Sequence, residues 1–262
     1  MKNISTDIRD MFRSPALYVC IAVTVYVLLL SIKEYLFTGL ATEVNFSALE
    51  LITDMFASSG FTPFAVVICL LPYSTIFCDE YRSSAARYAI MRTSRCAYAV
   101  GKIVSVCLSG VVVMTVATSV VFAVAFAIGS RSPDASVPDW FINAPQWARY
   151  GQNRQWGAIA GYKIVFAALF GGVWALAGLL CSAVFLDRFV GLVVPFAIYQ
   201  GLWGLLNKSP FNPVRLLRGD ATQIPSVGFV TGVQSCAILL LGIASFLVIN
   251  RRCRKSEGPS RS

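Results

Sequence analysis

Six long stretches without a charged residue divide this chain of 262 residues. A helix needs about 20 apolar residues to cross the hydrocarbon core of a bilayer, and each stretch has this length or more, to within one residue. They lie between Arg13 and Lys33, Asp54 and Asp79, Lys102 and Arg131, Lys163 and Asp187, Arg188 and Lys208, and Asp220 and Arg251. Only 13% of the residues are charged and 56% are hydrophobic, which excludes a soluble enzyme and a disordered chain. We therefore expect a membrane protein.

Helices are expected to cross the membrane, because the strands of a membrane barrel would alternate in polarity over about 10 residues. The sequence predicts an all-α protein with a single six-helix domain over residues 1–250 and a basic tail over 251–262. The predicted spans are 16–36, 58–78, 101–128, 160–185, 189–206 and 229–249.

Lysine and arginine predict the orientation, since short cytoplasmic loops are enriched in both. Of the 22 basic residues, 14 lie in the two termini, the loop 79–102 and the turn 187–188, and 8 lie on the other side. Both termini are therefore expected in the cytoplasm. The basic residues are dispersed over short loops or directly follow a span, which argues against nucleic-acid binding and favours contact with the membrane surface.

An amphipathic interfacial helix is predicted ahead of the first span. Its apolar face consists of Ile4, Ile8, Met11 and Phe12, opposite Lys2, Asp7, Arg9 and Asp10. Proline favours the start of a helix, so the chain is expected to turn into the first span at Ser14-Pro15. The alternative is a frayed tail with accidental periodicity.

The loop that follows the second span is predicted to form a short surface helix. Asp79 and Glu80 lie near its start and four arginines follow, an order that complements the helix dipole. Glu80 is expected to pair with Ser84 or Arg87. The alternative is a solvated loop whose charges only maintain topology.

Two segments on the opposite side are predicted to contact the outer membrane surface. Residues 131–157 carry five aromatic residues that suit an aromatic belt, with ligand binding as the alternative: Trp140, Phe141, Trp147, Tyr150 and Trp156. Residues 207–228 contain three prolines and are expected to form broken helices against the rest of the protein.

Residues for several kinds of chemistry are missing. The chain has no histidine and no Cys-x-x-Cys, which argues against zinc and haem, and Gly101-Lys102 lacks the other residues of a P-loop. No predicted span has Lys, Asp or Glu at its middle, which disfavours an ion-coupled transporter. No catalytic, metal or cofactor residue is therefore assigned. Two Gly-x-x-x-Gly pairs, at 157 and 161 and at 228 and 232, are too weak to indicate a dimer face.

Two motifs resemble the membrane-spanning subunit of an ABC-2 type transporter. The first, Asp10-Met11-Phe12-Arg13-Ser14-Pro15, is similar to the elbow that leads from the inner surface into the first span. The second runs from Phe77 through Asp79-Glu80 and Ser94-Arg95 to Tyr98 and Gly101-Lys102, in the order of the family's second cytoplasmic segment. With six spans and both termini inside, the likeness covers nearly the whole chain.

The resemblance implies a permease of a bacterial plasma membrane that has no ATP site of its own. Two ATP-binding subunits and a second permease copy, identical or paralogous, are the implied partners, and the cargo is a hydrophobic or amphipathic peptide, drug or lipid-like molecule. The implied coupling residues are Asp79, Glu80, Arg82, Arg87 and Arg95, with Glu80, Arg82 and Arg87 in the docking role. The implied elbow consists of Ile4, Ile8, Met11, Phe12, Arg13 and Pro15. The alternative is a membrane anchor or sensor that does not transport.

Overall fold

The structure, a computed structural model, describes residues 4–42, 52, 55–56, 60–128, 146–147, 150, 155–219 and 224–256. Every regular element within these ranges is helical, which confirms the predicted all-α class. The helices are α1 (Ile4–Arg13), α2 (Pro15–Thr42), α3 (Phe61–Leu70), α4 (Ile76–Arg82), α5 (Ala85–Arg92), α6 (Arg95–Ile128), α7 (Trp156–Phe185), α8 (Arg188–Leu205), α9 (Pro213–Arg218) and α10 (Val227–Ser256).

Four of the described helices, α6, α7, α8 and α10, are long and apolar enough to cross a membrane. Helices α1 and α2 meet at an angle of 56° and provide a fifth span if the bent pair is counted as one. Proline starts α2 as predicted, and the amphipathic helix α1 precedes it. The chain is thus a multi-pass membrane protein by the length and composition of its helices.

The predicted second span, 58–78, differs from the structure. Helix α3 ends at Leu70, five residues of turn follow, and α4 begins at Ile76. Pro72 lies in this turn and has no backbone N–H to donate, which interrupts the helical hydrogen bonds. A continuous helix over this segment is therefore a wrong prediction.

The segment after the second predicted span is helical as predicted, but it forms two short helices instead of one. Helix α4 ends at Arg82, and α5 begins after Ser84, whose φ of 61° lies in the left-handed region. A residue in that region cannot continue a right-handed helix. Helix α6 then begins at Arg95, six residues before the predicted span, and the Ser94 hydroxyl accepts a hydrogen bond from the Ala97 amide.

Helix α7 lies at the centre of the bundle, where it contacts α3, α4, α6, α8, α9 and α10. It crosses α6 closely at Gly171 and Gly110. A Cβ atom on Gly110 would lie closer than 3.0 Å to the Gly171 carbonyl oxygen, and one on Gly171 would lie comparably close to the Gly110 oxygen. Only glycine permits this approach.

The predicted outer segments pack together at one end of the bundle. Trp147 is fully buried against Tyr150, Tyr162 and Phe166, so it packs within the protein rather than in the predicted aromatic belt. Trp140, Phe141 and the Trp156 side chain lie outside the described residues. Within 207–228 the helical structure is broken, as the prolines predict, and the short helix α9 follows the break. The buried Asn212 amide donates to the carbonyls of Trp203 and Leu206.

The basic tail predicted from residue 251 begins inside a helix, since α10 continues to Ser256. Arginine is a good helix former, and basic residues complement the negative end of the helix dipole. The last turns of α10 contact α5 and the end of α7.

Candidate functional site

Three helices that are separate in sequence meet around one buried lysine at the end of the bundle opposite Trp147. Lys102 of α6 is fully buried and donates hydrogen bonds to two carboxylates. Its Nζ lies 2.8 Å from Asp7 Oδ1 on α1 and 2.7 Å from Glu80 Oε1 on α4. The side chains of Asp7 and Glu80 are only 6% and 14% exposed.

Tyr98 completes this arrangement. It precedes Lys102 by one helical turn on α6, so both side chains lie on the same face. The Tyr98 hydroxyl donates to Glu80 Oε2 at 2.7 Å, and Lys102 Nζ lies 5.6 Å from the centre of the Tyr98 ring. Both oxygens of Glu80 are thus bonded to α6. We call Asp7, Glu80, Tyr98 and Lys102 the Lys102 cluster.

Gly101 makes room for α1 at this cluster. A Cβ atom at Gly101 would lie 2.7 Å from Asp7 Oδ2, closer than non-bonded atoms normally approach. The Asp7 carboxylate therefore packs directly against the α6 backbone. This corrects the prediction that Asp7 lies on the solvated face of the interfacial helix, because Asp7 and Met11, one turn apart, are both buried.

Ion pairs also connect α4 to the turn between α7 and α8. Asp79 pairs with Arg188, and Arg82 Nη2 lies 3.4 Å from Asp187 Oδ2. Asp187 also caps α8, since its Oδ1 accepts from the amides of Val190 at 3.2 Å and Phe189 at 2.7 Å. The hydrogen bond from Val190, followed by that from Phe189 and the charge of Arg82, lowers the pKa of Asp187 below its ordinary value.

Helix α5 has one buried and one exposed face. Ala86, Ala89 and Ile90 pack into the core, whereas Tyr88 is 64% exposed and Met91 is 74% exposed. Large apolar side chains that protrude from a polar end of a protein are typical of a contact surface. We call Tyr88 and Met91 the α5 surface.

The structure distributes the predicted coupling residues over three helices. Asp79, Glu80 and Arg82 lie on α4, Arg87 lies on α5, and Arg95 begins α6. Asp79 and Arg82 contact the α7–α8 turn and Glu80 contacts Lys102, while the Arg87 side chain lies outside the described residues.

The predicted elbow residues lie at the junction of α1 and α2. Met11 is fully buried and Ile8 is half-buried, while Ile4 and Phe12 are each 41% exposed. Arg13 ends α1 and Pro15 starts α2. The Tyr18 hydroxyl, one turn into α2, donates to the Phe12 carbonyl at 2.8 Å.

Sequence reasoning assigned no functional role to Asp7, Tyr98 or Lys102. Tyr98 and Lys102 are among the residues that carry the family resemblance, and their spacing of four is a usable signal, because it puts a hydroxyl and a cation on one helix face. No such signal identifies Asp7, which is 95 residues from its partner.

No model of a known protein family, no curated protein and no solved structure matches the chain. Membership of a family therefore rests on the two sequence motifs and is a proposal. Within the described residues, no group of three or more Cys, Asp or Glu side chains is placed to hold a metal ion.

Proposed function

We propose that this chain is the permease subunit of an ABC transporter and exports a hydrophobic or amphipathic molecule. ATP would be hydrolysed by two copies of a separate ATP-binding subunit, and a second permease copy, identical or paralogous, would complete the translocation route. The observation that carries the proposal is the Lys102 cluster. It joins α1, the helix in which the first motif of the family resemblance begins, to the second motif.

The contacts around α4 support a role in transmitting force. A displacement of α4 would move α6 and α1 through Glu80 and Lys102, and would move the α7–α8 turn through Asp79 and Arg82. Closely packed helices shift as rigid bodies between discrete arrangements instead of deforming gradually. Closure of ATP-binding subunits beneath α4 and α5 would thus change the arrangement of the spans. The energy would come from the different affinities of the closed ATP-binding subunits for the two arrangements.

The α5 surface is the proposed docking site for the ATP-binding subunit, together with Arg82, whose side chain is 56% exposed. Aromatic residues, methionine and arginine are enriched at protein interfaces. Glu80 takes a different role from the docking role that the resemblance implies, because its carboxylate holds Lys102 and Tyr98. We propose that Glu80 positions α4, and that Tyr88 and Met91 make the contact.

The test is purification from the native membrane with the ATP-binding protein, followed by ATPase assays in lipid nanodiscs. We expect the Tyr88→Ser, Met91→Ser double variant to weaken binding of the ATP-binding subunit about tenfold or more, since exposed anchors of this kind contribute most of an interface's binding energy. The control is Leu205→Ser, which removes an apolar side chain that is 85% exposed in α8.

Two results would contradict the proposal. If the purified chain associates with no protein that carries a P-loop, the membrane anchor or sensor becomes the better interpretation. If the ATPase subunit binds and the α5 double variant retains full affinity, the docking surface is wrong while the transporter assignment stands.

A further inference from the structure

The cytoplasmic-side end of α10 forms a basic cleft that the proposed function does not use. The cleft has a volume of about 370 Å³ and is lined by Val184 of α7 and by Val248, Arg251 and Arg252 of α10. A water molecule takes about 30 Å³, so the cleft is large enough for a phosphate ester. Among the described residues that line the cleft, the two charged ones are both arginines.

The two arginines have different environments. Arg252 is half-buried, and its guanidinium donates to the Val184 carbonyl near the end of α7, so it is held in place at the cleft. Arg251 is exposed and makes no ion pair or side-chain hydrogen bond with the described part of the chain. The Arg252 guanidinium is thus held in place, and the Arg251 guanidinium retains its hydrogen-bond donors for a ligand. Guanidinium groups bind phosphate oxygens in a bidentate manner.

The exposed face of α10 indicates where the cleft lies relative to the membrane. Leu240, Ile243 and Leu247 are each about 60% exposed and follow one another at helical spacings of three and four, and Arg251 continues the same face. The helix rises about 16 Å over these residues, about half of the hydrocarbon core. An apolar, exposed stripe of this kind faces lipid chains, so the arginine that ends it lies at the level of the lipid headgroups.

We propose that this cleft binds the phosphate of an anionic phospholipid, with Arg251 and Arg252 on the headgroup and Val184 and Val248 against the start of an acyl chain. The site requires that α10 crosses the membrane with its C-terminal end in the cytoplasm, and it is independent of the proposed transport function. Basic clefts between helix ends on the cytoplasmic side are suited to such headgroups, because anionic lipids are enriched in that leaflet.

The test uses the full chain purified in a neutral detergent and titrated with short-chain phosphatidylglycerol, phosphatidylcholine of the same chain length, or inorganic phosphate. Bound ligand is counted by native mass spectrometry. We expect phosphatidylglycerol to bind more tightly than phosphatidylcholine, and Arg251→Gln to weaken phosphatidylglycerol binding about tenfold through loss of a charged hydrogen bond. Arg251 is exposed and has no side-chain partner among the described residues, so this variant should unfold at the same temperature as the parent chain.

Arg254→Gln is the matched control, because Arg254 is an exposed arginine of the same helix that does not line the cleft. Its affinity for phosphatidylglycerol should be unchanged. Equal losses in the two variants would show that only the overall positive charge matters, and would overturn the proposal. Full affinity in Arg251→Gln would do the same, and tight binding of inorganic phosphate would identify a soluble phosphate ligand in place of a lipid.

Discussion

Lys102 is buried with two carboxylates in a part of the molecule where charge is expensive. Removing an ion from water costs several kcal/mol even after the protein relaxes, and good geometry with additional hydrogen bonds is needed to offset this cost. The Lys102 cluster provides both, since Asp7 and Glu80 lie within 2.8 Å of the ammonium group and Tyr98 donates to Glu80. If one of these groups is removed, the remaining buried charges are left uncompensated and destabilise the folded protein.

Lys102→Met should therefore destabilise the protein strongly. Breaking a buried ion pair costs about 3–5 kcal/mol, because the remaining charge is left uncompensated, and here two carboxylates would lose their cation. The free energy of unfolding can be measured by titration with SDS in mixed micelles. Lys33→Met is the control, since Lys33 is exposed and should change stability little. Equal effects of the two substitutions would refute a structural role for the cluster.

Asp187 offers a second test at a single residue, because its carboxylate both caps α8 and pairs with Arg82. Asp187→Ala should accelerate hydrogen exchange at the Phe189 and Val190 amides, whereas Asp187→Asn keeps an acceptor oxygen and should preserve most of the protection. The Gly191 amide bonds to the backbone carbonyl of residue 187 and serves as an internal control. If exchange at the two amides is accelerated equally in the Ala and Asn variants, the ion pair orders this turn and the cap does not.

The pH dependence of this cap has a definite sign. Since the pKa of Asp187 is lowered in the folded protein, its stabilising effect is fully present above the ordinary carboxyl value of about 4. The effect is lost progressively as the pH falls from about 4 through the lower, folded value. A titration of the Asp187 carboxyl by NMR in detergent should therefore give a midpoint below that of an exposed aspartate, and Arg82→Gln should raise it. A midpoint at or above about 4 would contradict the assignment of the cap.

At the scale of the helices, the crossing of α6 and α7 organises the bundle. Gly110 and Gly171 let the two backbones meet, and Ala167, Gly171 and Ala175 form a stripe of small residues at a spacing of four. The two Gly-x-x-x-Gly pairs in the sequence are different, because a Cβ atom on Gly157, Gly161 or Gly232 would meet no neighbouring atom of the described residues within 4 Å. The close contact thus lies at glycines outside those pairs.

Gly171→Ala should separate α6 from α7 and destabilise the bundle by about 1–3 kcal/mol or more, the usual cost of overpacking. Gly232→Ala makes the same chemical change at an open helical position. Because alanine favours a helix by about 1 kcal/mol over glycine, this control should be neutral or stabilising. SDS titration of both variants measures the difference. Stability of Gly171→Ala at or above that of the parent chain would show that the helices do not meet at this point.

For the whole molecule, the contacts divide the connecting segments between two ends. The N-terminal helix, the segment 76–95, the turn 187–188 and the end of α10 meet around the Lys102 cluster, and Trp147 lies with Ile224 at the other end. The number of crossings stays a prediction, since the described helices provide four or five candidate spans. The excess of basic residues at the first end then predicts that this end faces the cytoplasm.

Cysteine labelling tests this orientation. Cys96 is exposed at the start of α6, so in a chain whose other cysteines are replaced it should react with a membrane-impermeant maleimide only after the cells are permeabilised. Ser226→Cys in a cysteine-free chain places a thiol at an exposed site of the opposite end and should react in intact cells. The reverse pattern would invert the topology and place the α5 surface and the arginine cleft outside the cell.

The sequence by itself determined those features that depend on neighbouring residues. Apolar length predicts a membrane-spanning helix, and five of the six predicted spans coincide, to within one residue, with parts of single helices, α2, α6, α7, α8 and α10. Proline predicts the corner at Pro15 for a similar reason, because its effect on the backbone is local. The length of an apolar stretch does not change when a few of its residues leave the helix. For this reason it does not reveal the break in the helix around Pro72.

Only the tertiary structure decided which distant residues meet. Helical periodicity assigned Asp7 to a solvated face, but α6 packs against that face and supplies Lys102, and the energy of the ion pair depends on three-dimensional packing and burial. The same holds for Gly110 and Gly171, since a backbone approach is a property of two helices and leaves no mark on either one alone. Spacing along the chain determines a helix face, and the partner of that face is determined by how the helices pack.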